Sequence, residues 1–244
     1  MQLCIDIGNT MTKTALFSGQ DLICKSSSPR IDPAEIRQIK TKWPEIEEVI
    51  LCSVRPENRE LINYLKNNFR YLLVFDQETA LPFVNLYKTK NTLGKDRLAA
   101  VAGANNNFPG RDVLVVDAGT AITYDLIDRS NRYLGGNISP GLTLRFKALH
   151  EFTGKLPLVK PKKEFRLLSD KTEDAIAGGV QSGILFEMEG YIGSLKKKYR
   201  DLTVIFTGGD AKYFVKKLKS SIFVDPDLVI TGLNRILIYN VKKN

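Results

Sequence analysis

Residues 2–7 (QLCIDI) form a short apolar run broken by one acid, Gly8-Asn9-Thr10 interrupts it, and a second run follows over residues 12–17. Run, glycine turn and run predict a tight pair of strands. Further apolar runs at 48–54 (EVILCSV) and 71–75 (YLLVF) predict two more strands. Between them Pro56 suits a helix start, and Leu61, Ile62, Leu65 and Phe69 fall on one helical stripe. Strands alternating with helices predict an α/β architecture.

The N-terminal pattern returns at 113–127, where VLVVDAGTAITYDLI again gives an apolar strand, an Asp, a Gly, a Thr and a second strand. Aligned on the acids, Asp6-Ile7-Gly8-Asn9-Thr10 lies over Asp117-Ala118-Gly119-Thr120, with the second turn one residue tighter. This internal repeat predicts two homologous halves, residues 1–110 and 111–244. The second half continues with a strand near 132–138, a Gly-rich turn at 135–141, helices around 142–151 and 173–198, and a strand-loop-helix in TVIFTGGDAKYFVKKL. Residues 153–171 are rich in Lys and Pro with little periodicity, so they read as a surface loop or lid.

Composition narrows the setting. The 244 residues are 43% apolar and 26% charged, an ordinary globular balance. Cys4, Cys24 and Cys52 are an odd number without close spacing, so no disulfide framework or zinc ligand set can be written, and a reducing cytoplasm is expected. The N-terminus reaches Asp6 and Gly8 too soon for a signal peptide, and no stretch approaches the ~20 apolar residues of a membrane span. With 36 Lys plus Arg against 27 Asp plus Glu, the net charge is +9. Much of it sits in clusters at 196–198, 216–219 and 242–243, which end or edge helix-like segments without interleaved aromatics. A solvated basic face that attracts an anionic substrate is expected, rather than a nucleic-acid or membrane surface.

The two hairpins suit phosphate chemistry. Glycine removes the Cβ so that backbone N–H groups approach anionic oxygens, and Thr hydroxyls add donors. An acid beside such a turn repels phosphate, so it reads as the holder of a cation or of a water that bridges to phosphate. One such turn is also what a plain hairpin with a capping Asp carries; two in register point to a metal nucleotide. A third glycine turn, Thr207-Gly208-Gly209-Asp210, lies between a strand and a helix, where backbone can approach a ribose or flat ring, or simply turn. Between the repeats, Gly94-Lys95-Asp96-Arg97 opens a helix of small residues. Asp96 reads either as a dipole partner in a first turn or as a general base for a substrate hydroxyl, with Arg97 offsetting anionic charge.

Together these segments, DIGNT at 6–10, GKDR at 94–97, DAGTAIT at 117–123, GGNISPG at 135–141, TEDAIAGG at 172–179 and TGGDA at 207–211, resemble type III pantothenate kinase in family order across the whole chain. The resemblance implies the fold shared by acetate and sugar kinases and actin, two RNase H-like domains around a nucleotide cleft. It implies ATP-dependent phosphorylation of pantothenate to 4'-phosphopantothenate, the first step of coenzyme A synthesis, in a cytoplasmic homodimer requiring Mg2+ with ATP and a monovalent cation such as K+ or NH4+. Carried onto this chain, Asp6, Ile7, Gly8, Asn9, Thr10, Met11, Thr12 and Lys13 correspond to the first ATP phosphate loop, and Thr120 to its counterpart in the second. Gly208, Gly209 and Asp210 correspond to the adenosine loop. Asp117 is implied as the monovalent-cation ligand, and Asp6 as a site for Mg2+ through water. Asp96 is implied as the catalytic base, and Tyr87, Gly94, Lys95, Asp96, Arg97 and Thr172 as pantothenate contacts. Lys-rich sequence before GKDR, NLYKTKNTL, departs from the Pro-containing family version and bears on Tyr87.

Competing functions are a kinase for another small hydroxylated acid or sugar, and a non-catalytic nucleotide-sensing member of the same fold. His150 has no Ser or Cys motif beside it and is expected to be structural or superficial. Cys4 and Cys52 are expected to be small apolar groups within strands, and Trp43 to cover core at a helix end before Pro44.

Overall fold

The computed structural model describes residues 1–56 and 58–243. It forms two compact units, one of Met1–Pro109 with Asn131–Tyr133 and the segment from Asp227, the other of Gly110–Ser130 and Leu134–Pro226.

In the first unit, β1 (Gln2–Ile7) turns back into β2 (Thr12–Ser18), which pairs with β3 (Asp21–Ser28); β4 (Glu48–Ser53) and β5 (Tyr71–Val74) add on the other side of β1. The sheet order is β3-β2-β1-β4-β5, antiparallel among β1, β2 and β3 and parallel from β1 through β4 to β5. Side chains alternate across it. Leu3, Ile5, Leu16, Val49 and Leu51 meet Ile36 of α1 (Pro33–Lys42) and Leu61 and Leu65 of α2 (Arg59–Asn68) on one face. The opposite face is covered by α3 (Lys95–Asn107) and α7 (Leu228–Val241). β1 is therefore buried on both sides, which explains its nearly unbroken apolar run. The short β6 (Val84–Asn85) pairs in parallel with Arg132 and Tyr133.

Two local readings change. α2 begins at Arg59 rather than at Pro56, because Asn58 accepts the Leu61 N–H at 3.2 Å and so caps the helix. The last helix is not part of the second unit, as a division at 110/111 has it. α3 and α7 cross with almost no space between their backbones: a Cβ built on Gly103 would lie 2.3 Å from Leu228 O, and one on Gly232 1.7 Å from Ala99 O. α7 is also tied by Lys25 to Asp227 at 2.6 Å, Asn234 to Gly19 O at 2.8 Å and Asn240 to Ala80 O at 2.9 Å.

In the second unit, β7 (Val113–Ala118) turns back into β8 (Ala121–Ile127), β9 (Arg132–Pro140) follows, its part from Leu134 onward belonging to this unit, and β10 (Thr203–Thr207) and β11 (Phe223–Val224) pair in parallel beyond β7. The order β9-β8-β7-β10-β11 repeats β3-β2-β1-β4-β5 strand for strand. α4 (Leu142–Glu151), the 27-residue α5 (Thr172–Lys198) and α6 (Ala211–Val215) complete a core of Leu114, Val116, Phe146, Ile184, Met188 and Phe206, among others.

Residues 153–171 run over the surface, anchored around 162–166. The wholly buried Gln181 clamps both backbone groups of Lys162, at 2.9 and 2.7 Å, Lys217 donates to Lys163 O at 3.0 Å, and Gly178 lets Arg166 O approach α5. His150 is exposed, with Nδ1 2.8 Å from Leu156 O, and Trp43 caps the end of α1. Among the described residues no helix is long and apolar enough to cross a membrane.

Candidate active site

Both Asp-Gly turns sit where the first strand of each sheet ends, beside a parallel neighbour; in open α/β sheets ligands collect outside such carboxyl ends. In the first unit Asp6 stands directly across the hairpin from Lys13 and beside Cys52 on β4. The turn is closed by Gly8 N–H donating to Met11 O at 3.0 Å, and a Cβ on Gly8 would be at contact limit, 3.0 Å from that oxygen. Asn9, Thr10, Met11 and Lys13 are exposed, Ile7 and Gly8 are half-buried, and Thr12 turns inward, 1% exposed, its hydroxyl without a hydrogen-bond partner.

Asp96 occupies the first turn of α3, where its Oδ1 accepts the Arg97 N–H at 2.9 Å. Gly94 leaves room for it, since a Cβ there would fall 2.4 Å from Asp96 Oδ1. Burial pushes the Asp6 carboxyl up to about 6, with Lys13 opposing the rise and the Asp96 charge adding to it. Burial likewise raises the Cys52 thiol, reinforced by Asp6, so Cys52 is an inert apolar group here. Asp6, Asp96 and Lys13 thus share one electrostatic neighbourhood.

Asp6 has a measurable consequence without any ligand. The folded protein holds the Asp6 proton more tightly than the unfolded chain does, so this group's stabilisation is complete below about pH 4 and lost as pH rises through about 6. Melting curves of wild type and Asp6→Asn, recorded without nucleotide between pH 5 and 8, should therefore diverge: the wild type loses melting temperature between about pH 5 and 7 relative to the variant. Parallel curves would show that Asp6 is not buried as described.

Arg97 is only 5% exposed, a costly place for a guanidinium, and it is held there by Tyr133 Oη at 3.1 Å and by the Tyr87 ring, 5.7 Å from its centroid. Tyr87 lies over Tyr133, and Asn85 fixes its backbone N–H at 2.9 Å. The structure thus places Tyr87 beside the GKDR segment despite the altered sequence before it.

In the second unit three glycine turns meet. Gly208 has φ +92°, and a Cβ on it would lie 2.4 Å from both Ala118 O and Asp117 Oδ1, so this position needs glycine on two counts. Asp210 N–H donates to Ala118 O at 2.9 Å, and Gly141 N–H donates to Thr120 O at 3.0 Å. Asp117, Gly119, Thr120, Gly208 and Asp210 are thereby one cluster, with Thr120 exposed and Asp117 half-buried. Burial also raises the Asp210 carboxyl. Thr172 is exposed at the start of α5.

Sequence reasoning missed two features. Arg55, after β4, donates to Asn9 O at 2.9 Å. Glu187 on α5 gathers Tyr124 at 2.8 Å, Ser139 at 3.0 Å and Arg145 at 2.5 Å, which ties the GGNISPG segment, the end of strand β9 rather than a turn, to two helices. Neither bond carries a local signal, because the partners lie 42 to 63 residues apart in sequence.

The model of the type III pantothenate kinase family matches residues 2–194. The chain belongs to that family. It is 48% identical to the type III pantothenate kinase of Christiangramia forsetii over 98% of this chain and 99% of that one, and 46% identical to the Bacteroides fragilis enzyme over 98% of each. Among solved structures it resembles the ROK hexokinase of Thermus thermophilus, with TM-score 0.57 at 13% identity over 98% of this chain and 99% of that one, a likeness of fold. The family's motifs and the repeated mixed sheets together give the fold as tandem actin-like ATPase domains.

Proposed function

We propose that this chain transfers the γ-phosphoryl group of ATP to the primary hydroxyl of pantothenate, producing 4'-phosphopantothenate and ADP in coenzyme A synthesis. The observation that carries this is membership of the type III pantothenate kinase family over nearly the full length, at 48% identity. The residue roles are those that the family's motifs imply for the matching positions of this chain.

In this reading the backbone N–H groups of the Asp6–Lys13 loop and Lys13 are ligands of the β and γ phosphates, Thr120 is a further phosphate ligand, and Gly208, Gly209 and Asp210 contact the adenosine. Asp96 accepts the hydroxyl proton while that oxygen attacks phosphorus in line; the new O–P bond forms as the bond to the β-phosphate oxygen breaks and ADP departs. Because phosphoryl transfer has a loose transition state, most of the acceleration comes from positioning and electrostatics. Gly94, Lys95, Arg97 and Tyr87 hold pantothenate, with the buried Arg97 cation suited to its carboxylate. Thr172 adds a further contact.

Among the described residues no three acidic, His or Cys side chains gather as a metal cage. That fits Mg2+ bound with ATP, which takes one or two carboxylates and completes its shell with phosphates and water. In this reading Asp6 holds it through water, and Asp117 holds a K+ or NH4+ ion. These cations neutralise phosphate charge when bound. We assign the protein to the cytoplasm, consistent with free Cys4, Cys24 and Cys52, and to a homodimer, for which exposed Ile138, Phe152 and Phe186 offer apolar surface. No nucleic-acid or membrane partner is assigned.

The test is ADP release by purified protein with Mg-ATP and pantothenate, in K+ or NH4+ and again in Na+ alone. Turnover that requires pantothenate and the larger cations is expected. ADP release with a sugar or another hydroxy acid in place of pantothenate would overturn the acceptor, and nucleotide binding without turnover on any acceptor would overturn the enzyme.

A further inference from the structure

Arg55 lies outside the motif segments DIGNT, GKDR, DAGTAIT, GGNISPG, TEDAIAGG and TGGDA, yet its contacts converge on the phosphate turn. Past the end of β4, Val54 N–H donates to Ile7 O at 3.0 Å and extends the β1–β4 ladder to the edge of that turn. Ser53 then clamps the backbone of Arg55 from both sides, accepting its N–H at 3.1 Å and donating to its carbonyl at 3.0 Å. From this fixed base Nη2 donates to Asn9 O at 2.9 Å and Nη1 to Pro29 O at 3.4 Å. A guanidinium has a rigid fork of donors that can hold two carbonyls at once, which a single ammonium does poorly.

The peptide between Asn9 and Thr10 is planar and trans, so its C=O and N–H point in opposite directions. Holding the Asn9 carbonyl toward Arg55 aims the Thr10 N–H the other way. We propose that Arg55 is a positioning residue for ATP: it latches the 8–11 turn so that the Thr10 amide faces the phosphates, and it adds a fixed positive charge behind the turn. This deepens the reading of Asp6–Lys13 as the ATP phosphate loop and rests on it. Arg55 is half-buried and borders a small cavity with Ile7, Ser53 and Lys95, so truncating it opens space to water rather than a void in the core.

The experiment compares Arg55→Ala and Arg55→Lys with wild type in binding of ATP and of adenosine by calorimetry, in steady-state kinetics, and in melting temperature. Loss of the latch should weaken ATP and raise its KM by about 10-fold, the equivalent of 1.4 kcal/mol. Adenosine affinity, pantothenate KM and melting temperature should stay near wild type, and Arg55→Lys should recover only part of the loss. A merely structural role would lower the melting temperature and weaken both ligands together. ATP affinity within twofold of wild type in Arg55→Ala, or equal weakening of adenosine, overturns the proposal. If wild type binds ATP but does not phosphorylate pantothenate, a selective loss of ATP affinity in Arg55→Ala still supports the latch, while the acceptor reading falls alone.

Discussion

Asp96→Asn is expected to reduce kcat by roughly 10² to 10⁴-fold, the range associated with a positioned general base. The amide matches the carboxylate in shape, and its oxygen can still accept the Arg97 N–H that Asp96 accepts at 2.9 Å. The start of α3 and the binding of ATP should therefore survive, so the loss appears in turnover rather than in folding or nucleotide affinity. A second readout comes from Asp6, whose carboxyl is raised in part by the Asp96 charge. Removing that charge should move the Asp6 titration downward, visible as a shift in the pH dependence of melting. Turnover within a few-fold of wild type would remove Asp96 from the role of base.

The second large effect is on stability. A Cβ on Gly232 would lie 1.7 Å from Ala99 O, 2.7 Å from its carbonyl carbon and 2.8 Å from Gly103 N, all of them backbone atoms. No rotamer change relieves such a clash, so Gly232→Ala must push α7 away from α3. Overpacking commonly costs ~1–3 kcal/mol, and with backbone as the obstacle about 3 kcal/mol is expected. For a protein of this size that corresponds to a fall of about 10 °C in melting temperature. Gly190→Ala is the matched control: it lies in α5 with nothing within 4 Å of its Cβ position. There alanine should stabilise the helix by about 0.5–1 kcal/mol. Equal melting temperatures for the two variants would mean that the α3–α7 crossing is looser than described.

The parts of the fold legible in sequence were those whose signals are local. The Asp-Gly hairpins announced themselves because strand, turn and strand occupy fewer than twenty consecutive residues, and their repetition revealed the duplicated sheet order. The small residues of α3 were visible too, but their purpose was not, since the surface they accommodate is Gly232, more than a hundred residues later. For the same reason α7 read as belonging to the half in which it is encoded. β3 was absent from the sequence reading because it is an edge strand with an almost wholly exposed, polar sequence, DLICKSSS. Pro56 misled as a helix start because a side-chain cap two residues later decided the matter. At the candidate site the structure gathers Asp6, Lys13 and Asp96 in one neighbourhood and Asp117, Thr120 and Gly208 in another, whereas Arg55 could be found only once Asn9 was seen beside it.

The docking of α7 on α3 also orders events during synthesis. A ribosome delivers the chain from the N-terminus at about 5–20 residues per second, and domains usually fold as they emerge. Here the helix that carries Asp96 waits for its neighbour until residues 228–241 have been made, after the second unit has been delivered in full. A chain released early therefore keeps both Asp-Gly turns yet leaves part of one face of its first sheet and the inner side of α3 uncovered. Such fragments expose apolar surface that the full chain buries.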